Sequence, residues 1–390
     1  MLDVDRVRLE LRVPGVAPLH QRLQSAIRAQ VVDGTLTPGQ ALAAERSLQE
    51  RLGVSRATVR QAIKSLVAEG ILQSVVGAGT FVVDRKPAAR GRNLVGVVVP
   101  DSDFYLYYAD LASALSFRLR EAGLRVDMSL HNERKETFAE IVAGLVDHDV
   151  AALLMSAPAS ASNIDNLINQ LRARGVVIVL VARYLDTRAD LDYVGADNER
   201  IGYEATRHLL ELGHNGIIHL AGTKTTTARD RALGYVRAMH EAHLVPSIVV
   251  PPVESGPIPA ELGPYLGDRD LAVFWAQVGR RQTTAAFCFN DAIASWVQKE
   301  IRTMNLTVPR DLSLIAVDNM PYADFFDAPL TTFALPGEEI AHQAVRILLR
   351  RLNGETFAPL RLLLPGDFTL RRSTAPPPRP VRPSRAPVVS

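Results

Sequence analysis

The sequence predicts an α/β protein with a small helical unit at its amino terminus and a large layered body behind it. Three observations carry this. Short unbroken apolar runs recur through the second part, at Leu94–Val99, Val150–Met155, Val176–Ala182, Ile217–Ala221, Ala285–Phe289 and Leu312–Val317, with amphipathic segments of helical length between several of them. Parallel strands covered by helices on both faces need such runs. The stretch from Pro18 to Lys86 reads instead as helices closed by a Gly-punctuated pair of apolar runs. Charge divides the chain in the same way: residues 1–92 carry a net +6, residues 93–370 a net −9 and residues 371–390 a net +5. A basic head on an acidic body suggests that the head alone meets a polyanion.

At 390 residues, the chain has room for two to four compact units. Cys288 is the single cysteine, so no intrachain disulfide forms and nothing points to an oxidising compartment. No apolar run reaches the ~18 residues of a membrane span, and the opening MLDVDRVRLELRVPG is not a secretory signal. The expected location is the cytoplasm, at the nucleoid, with no membrane partner.

In the head, Leu19–Val32 places apolar residues at 19, 23, 27 and 31, a helical stripe. Gly34 and Pro38-Gly39 break the chain. Glu45–Leu52 is a short second helix ended by Gly53, Ser55 is a good N-cap, and Arg56–Glu69 is a third helix stopped by Gly70. Two short helices around a tight Gly-containing turn make a helix-turn-helix. On the third helix Val59, Ala62, Ile63 and Leu66 form the core stripe, while Arg56, Arg60 and Lys64 form another. Like charges at i,i+4 weaken a helix by ~0.2–0.5 kcal/mol each. The stripe makes sense against phosphates and guanine edges; a solvated basic face is the plainer alternative. Ile71–Val76 and Thr80–Val83 flank Gly77-Ala78-Gly79, a hairpin that would serve as a wing on DNA or as plain structure.

These residues carry a specific resemblance. GVSRATVRQAIKSLVAEGIL followed by GAGTFV resembles the winged helix of the GntR family of bacterial transcription regulators, along the whole of that domain. The resemblance implies DNA contacts from Arg46, from Arg56, Thr58 and Arg60 with Ser55 and Lys64 beside them, and from the wing at Gly77 and Gly79. Two departures stand out. Ala43-Ala44 precede the Glu-Arg pair where Pro-Ser is common, and Val75-Val76 precede the wing where a basic residue is common.

The body begins after a polar linker, residues 85–93. Its strand–helix alternation over about 275 residues is long for one sheet, which favours two similar lobes. Ligands of open α/β sheets sit beyond the carboxyl ends of strands. Phe104, Tyr105, Tyr107 and Tyr108 follow the first strand, and are candidates for stacking on a ligand or for core and interface. Asp291 follows AAFCFN and could accept hydroxyl hydrogen bonds or cap the next helix. Arg231 could anchor a polar group or pair with Asp230. Asp318-Asn319 close LSLIAV.

VGVVVPD, VGADNERIGYEATRHLLELGHNGIIHLAG, RALGY, FNDAIA, VPRDLSLIAVDN and PLTTF, in that order, look like the effector domain of LacI/GalR regulators, which is similar to periplasmic sugar-binding proteins. The resemblance implies an α/β chain with a winged helix-turn-helix domain at 1–84 and a two-lobed periplasmic-binding-protein-like body at 94–372; composition alone marks 373–390 as a Pro-rich tail expected to be disordered. The resemblance also implies effector contacts from Phe104, Tyr105, Tyr107, Arg231 and Asp291; Asp318 and Arg183, which follow strand-like runs, are further candidates. Ala182 stands where many relatives carry Asp before the arginine. The pairing of this head and body resembles arabinose-type repressors and suggests a sugar.

An enzyme is the competing reading. Cys288 sits between Phe287 and Phe289 as an inert buried thiol, the histidines make no zinc signature, and no GxGxxG or Walker loop occurs. The expectation is therefore a regulator that is not an enzyme and has no cofactor or metal. Its partners would be a palindromic double-stranded DNA operator, read by a homodimer, and a small sugar-like effector that releases a repressor; a nucleobase or other metabolite acting as corepressor is the alternative. Leu111, Leu115 and Leu119 on the helix Leu111–Glu121 are a candidate dimer stripe, with core packing as the equal alternative.

Overall fold

The computed structural model describes residues 4, 7, 18–32, 35–37, 39–68, 71–75, 79–82, 93–101, 106–131, 135–158, 164–222, 225–251 and 271–378. The chain forms two compact units, the first centred on residues 1–93. There α1 (Leu19–Val32), α2 (Glu45–Leu52) and α3 (Arg56–Ala68) lead into the antiparallel pair β1 (Leu72–Val75) and β2 (Gly79–Val82). α2 ends at Gly53, whose φ of +69° suits glycine and whose N–H closes on Gln49 O. Ser55 caps α3, its Oγ accepting from Thr58 N at 3.1 Å. Leu23 and Ile27, Leu48 and Leu52, and Val59, Ala62, Ile63 and Leu66 meet Leu72 and Val82 in one core. The spacing on the third helix therefore identified the buried stripe correctly.

The body holds two six-stranded sheets, one per lobe. The first runs β4 (Arg125–His131), β3 (Leu94–Pro100), β5 (Ala152–Met155), β6 (Val177–Val181), β7 (Asp192–Ala196), β13 (Arg361–Leu364). The second runs β9 (Ile248–Val249), β8 (Ile217–Leu220), β10 (Ala285–Cys288), β11 (Ser313–Asp318), β12 (Thr331–Ala334), β14 (Asp367–Thr369). The chain passes to the second sheet after β7, returns for β13 and crosses again to β14. The helices between are α4 (Leu106–Glu121), α5 (Lys135–Asp147), α6 (Ile164–Ala173), α7 (Asn198–Glu211), α8 (Thr226–Glu241), α9 (Leu271–Gly279), α10 (Asp291–Thr303) and α11 (Gly337–Leu352).

Each of the six apolar runs coincides with a strand to within two residues at either end. The strands that the runs do not reveal are of two kinds. β4, β9, β13 and β14 lie at sheet edges, and β13 alternates exposed and half-buried residues. β7 and β12 are covered but mix Asp192, Gly195 and threonines into the run. Leu111, Leu115 and Leu119 are fully buried, so that stripe is core and not a dimer face.

The expected boundary at 372 is corrected. Ser373 is fully buried, donating from Oγ to Leu314 O at 2.6 Å and accepting from Thr331 N at 2.7 Å. Ala375 O accepts from Ser313 Oγ at 2.9 Å and lies 2.8 Å from His214 Nε2. The segment expected to be disordered thus begins as part of the second lobe, because its backbone and the Ser373 hydroxyl supply partners to the starts of β11 and β12 that would otherwise lack them. Residues 379–390 lie outside the described residues, as does the linker up to 92.

Two glycines let α7 and α8 approach unusually closely. A Cβ on Gly202 would stand 2.0 Å from Arg231 O, and one on Gly234 would stand 2.0 Å from Glu199 O. Gly234→Ala is expected to lower the stability of the second lobe by ~1–3 kcal/mol, the usual cost of overpacking. Gly144→Ala in α5 meets nothing within 4 Å and should instead stabilise by ~0.5–1 kcal/mol. Urea midpoints of the two variants moving in the same direction would contradict this packing.

Candidate nucleic-acid face and effector cleft

The first site is built on α2 and α3. Arg46, Arg56 and Arg60 project from these helices with most of their side chains exposed, and Lys64 is exposed on the same helix as Arg56 and Arg60. No acid lies among the described residues of α3 to offset this charge, but α2 supplies one. Glu45 Oε2 accepts from Arg60 Nε at 3.3 Å and Nη2 at 3.2 Å, and lies 3.5 Å from Arg56 Nε. Arg46 pairs with Glu50 at 3.3 Å. Exposed pairs of this kind are worth ~0–1 kcal/mol, so a phosphate or base edge displaces them readily. Glu45 thus holds two arginines side by side before any polyanion arrives. Periodicity within one helix could not reveal it, because the pairing runs between helices. Thr58 turns its hydroxyl to Ser55 Oγ at 2.8 Å and so serves the cap. Gly79 has a φ of +116°, a conformation that side chains resist. Gly77 lies outside the described residues.

The second site lies at the carboxyl ends of the body strands. Arg231, in α8, is almost wholly buried: Nε donates to Asn198 Oδ1 at 2.9 Å, Nη1 to Phe289 O at 2.5 Å, and Nη2 lies 3.8 Å from Asp318 Oδ1. Its guanidinium stacks on the Phe289 ring at 4.6 Å. The charge partner is therefore Asp318, and Asp230 is engaged elsewhere. Asp318 closes β11 with a φ of +117°, followed by Asn319 at +51°; strained non-glycine residues of this kind persist where the surroundings over-determine them. Ala182 closes β6 likewise, at +60°, and its carbonyl accepts from Tyr193 Oη at 3.1 Å. That turn carries Arg183, whose guanidinium lies 5.1 Å from the centre of the Tyr108 ring.

Tyr107 packs edge-on against Tyr108, with ring centres 5.2 Å apart. It stands in the first turn of α4, after β3, and its phenol is pushed up by burial and then by Tyr108, Tyr193 and Asp318, with Arg231 opposing. A residue of the first lobe thus shares an electrostatic neighbourhood with two of the second. Burial pushes the Asp318 carboxyl up to about 7, against the pull of Arg231. Burial likewise pushes Asp291 up to about 6, opposed by its bonds from Thr332 and Met320.

Asp291 is placed differently from the expectation. It is fully enclosed, with Oδ1 accepting from the Thr332 hydroxyl and Oδ2 from Met320 N, both at 2.7 Å. It ties α10 to the β11–β12 edge. The cap of α10 is Asn290, whose Oδ1 accepts from Ile293 N at 2.9 Å. The buried Nδ2 of Asn290 has no hydrogen-bond partner, and neither has the buried Oγ of Ser156, just past β5. Buried polar atoms are rarely left so, and both stand at strand ends where a ligand or water would serve them. The sequence named Asn290 only as part of FNDAIA, and Ser156 carried no signal. Phe104 and Tyr105 lie outside the described residues.

Among the described residues no group of His, Cys, Asp and Glu could hold a metal, and no helix is long and apolar enough to cross a membrane. Cys288 is buried, with its thiol pushed up by that burial. His219 is buried and pushed down to about 3, chiefly by burial.

The raised carboxyls make a pH prediction. Both stand above the ~3.9 of an unfolded Asp. As pH rises above about 4 the unfolded chain loses protons that the native state keeps, so their stabilisation is fully present below about 4 and lost as pH rises through about 7. Between pH 5 and pH 8 the thermal unfolding midpoint of the parent should fall relative to that of Asp318→Asn, because the histidines whose values burial lowers, which act in the opposite sense, contribute equally to both. An identical slope in that variant would contradict the burial of Asp318.

Both parts of the chain match known domains. Residues 19–82 match the model for bacterial regulatory proteins of the gntR family, and residues 206–374 that for a periplasmic binding protein-like domain. The arabinose metabolism transcriptional repressor of Geobacillus stearothermophilus is 27% identical over 339 residues, covering 86% of this chain and 91% of the relative. HTH-type transcriptional regulator DegA of Bacillus subtilis (strain 168) is 28% identical over 287 residues, covering 73% of this chain and 81% of the relative. In fold, the chain is similar to the transcriptional regulator CelR in its cellobiose complex, with a TM-score of 0.59 and 21% identity over 95% of this chain and 99% of that one. It is similar also to a periplasmic binding protein/LacI transcriptional regulator from Alkaliphilus metalliredigens QYMF complexed with D-xylulofuranose, with a TM-score of 0.59 and 19% identity over 72% and 99%. These curated relatives are transcription regulators, not enzymes. The chain therefore joins a gntR-type helix-turn-helix domain to a periplasmic-binding-protein-like, two-lobed α/β domain, and its curated relatives are transcription regulators, repressors of arabinose metabolism among them.

Proposed function

We propose that the chain is a repressor that leaves a palindromic operator when a small sugar-like effector binds between the lobes of its body. One observation carries the reading: a single chain holds both an exposed arginine face braced by Glu45 and a polar cluster at the strand ends of a two-sheet body. The face suits a polyanion. The cluster offers acceptors at Asp318, a donor at Asn290 and a hydroxyl at Ser156 and at Tyr107, as a polyol requires. The names of the relatives, arabinose repressors among them, support a sugar.

A homodimer suits a palindrome, since two heads read two half-sites. Phe117 on α4 and Phe325, in the turn after β11, are 63% and 85% exposed, and a second copy would cover such aromatics. Arg56, Arg60 and Arg46 would contact the operator, with Lys64 adding phosphate attraction. Arg183, Arg231, Tyr107 and Asp318 would surround the effector, and Asp291 would hold Asp318's loop from behind. The site of action would be the cytoplasm.

Arg56→Ala should cost ~1–3 kcal/mol of affinity for a fragment selected by the purified chain from random DNA. Undiminished retention of that fragment would remove α3 from the interface. A thermal-shift screen of pentoses, hexoses, their phosphates and nucleobases identifies the effector class, since a bound ligand stabilises by mass action. Tyr107→Phe should weaken the shift given by the active compound while leaving DNA retention unchanged; an equal shift would take Tyr107 out of the cleft.

A further inference from the structure

The two lobes touch through a polar cluster beside the cleft that the effector reading does not use. Tyr184 and Asp186 follow β6 in the first lobe; Thr226, Arg229 and Asp230 belong to the start of α8 in the second. Arg229 makes a bidentate pair across the gap, Nη1 to Asp186 Oδ2 at 2.6 Å and Nη2 to Asp186 Oδ1 at 2.9 Å. The same Nη2 donates to Tyr184 Oη at 2.7 Å, and Tyr184 Oη donates to Asp230, 2.9 Å from either oxygen. Tyr184 N also donates to Thr226 Oγ1 at 3.4 Å. Behind the phenol, the Arg361 guanidinium lies 3.9 Å from the ring centre. Bidentate arginine–carboxylate pairs add geometric specificity to attraction, and a shared network holds better than its separate pairs.

Register on α8 gives the cluster its meaning. Arg229 and Asp230 reach across to the first lobe, while the next residue, Arg231, turns to Asn198, Phe289 O and Asp318. The helix that carries the chief cleft cation is thus fastened to the opposite lobe by its own two preceding side chains.

We propose that Tyr184, Asp186, Arg229 and Asp230 form a clamp that holds the lobes closed on one flank independently of effector. A protein whose closed arrangement is populated beforehand binds its effector with less loss to conformational selection, and responds by a smaller movement. The consequence for regulation rests on the effector-body reading. The clamp itself is tested without operator or effector, so its failure is separate from a failure of that reading.

Spin labels on Ala173→Cys, at the end of α6, and Ala242→Cys, just past α8, report the separation of the lobes in the full chain; Cys288 is buried and leaves the labelling clean. The expected result is a narrow distance distribution, which broadens or lengthens in Tyr184→Phe combined with Asp186→Ala. Matching distributions with and without the clamp residues would overturn the proposal. A double-mutant cycle of Asp186→Ala and Arg229→Ala in urea unfolding gives a second reading: coupling of threefold or more in the unfolding constant is expected, and strict additivity would overturn it.

Discussion

The buried guanidinium of Arg231 organises the second lobe's strand ends. It joins α7 through Asn198, the end of β10 through Phe289 O and the end of β11 through Asp318. Its position follows from backbone approach, because Gly202 of α7 lies directly against the carbonyl of Arg231. A side chain there would push α8 away and carry the cation with it. A buried charge lacking its partners is costly, so the three acceptors and the arginine depend on one another. Tyr107, Asp318 and the orphaned amide of Asn290 gain their significance from this fixed point.

The same logic, with different magnitudes, shapes the head. There the arginines are exposed and their carboxylate partners hold them only loosely. Solvent makes these pairs cheap to exchange, which a surface that must accept a phosphate needs. One chain thus uses ion pairs in two regimes. The buried pair fixes geometry, and the exposed pairs gather arginines side by side while leaving them free to exchange partners.

Much of this was legible in the sequence. Apolar runs located the inner strands because helices cover both their faces. Ser55, Gly53 and the stripe at Val59, Ala62, Ile63 and Leu66 located the start and the buried face of the third helix. What escaped depends on contacts between distant segments. Glu45 serves arginines on another helix, and Arg231 chose Asp318, 87 positions on, over adjacent Asp230. The cap offered for Asp291 fell to Asn290, since either residue type can cap a helix and only tertiary packing decides. Leu111, Leu115 and Leu119 illustrate the limit of periodicity, which marks an apolar face without saying what covers it.

The order in which the lobes are threaded has a consequence during synthesis. The first lobe takes its edge strand β13 from residues 361–364, and the second lobe is finished by β14 and by Ser373 and Ala375. A nascent chain leaves the ribosome at ~5–20 residues per second, so the nearly 300 residues between β2 and Ala375 take roughly 15–60 s to appear. For all but the last dozen or so residues of that interval the amino-terminal domain has every residue of its own core, while both lobes still lack an edge strand. A nascent chain of this kind carries a finished DNA-facing domain well before the part that regulates it can close.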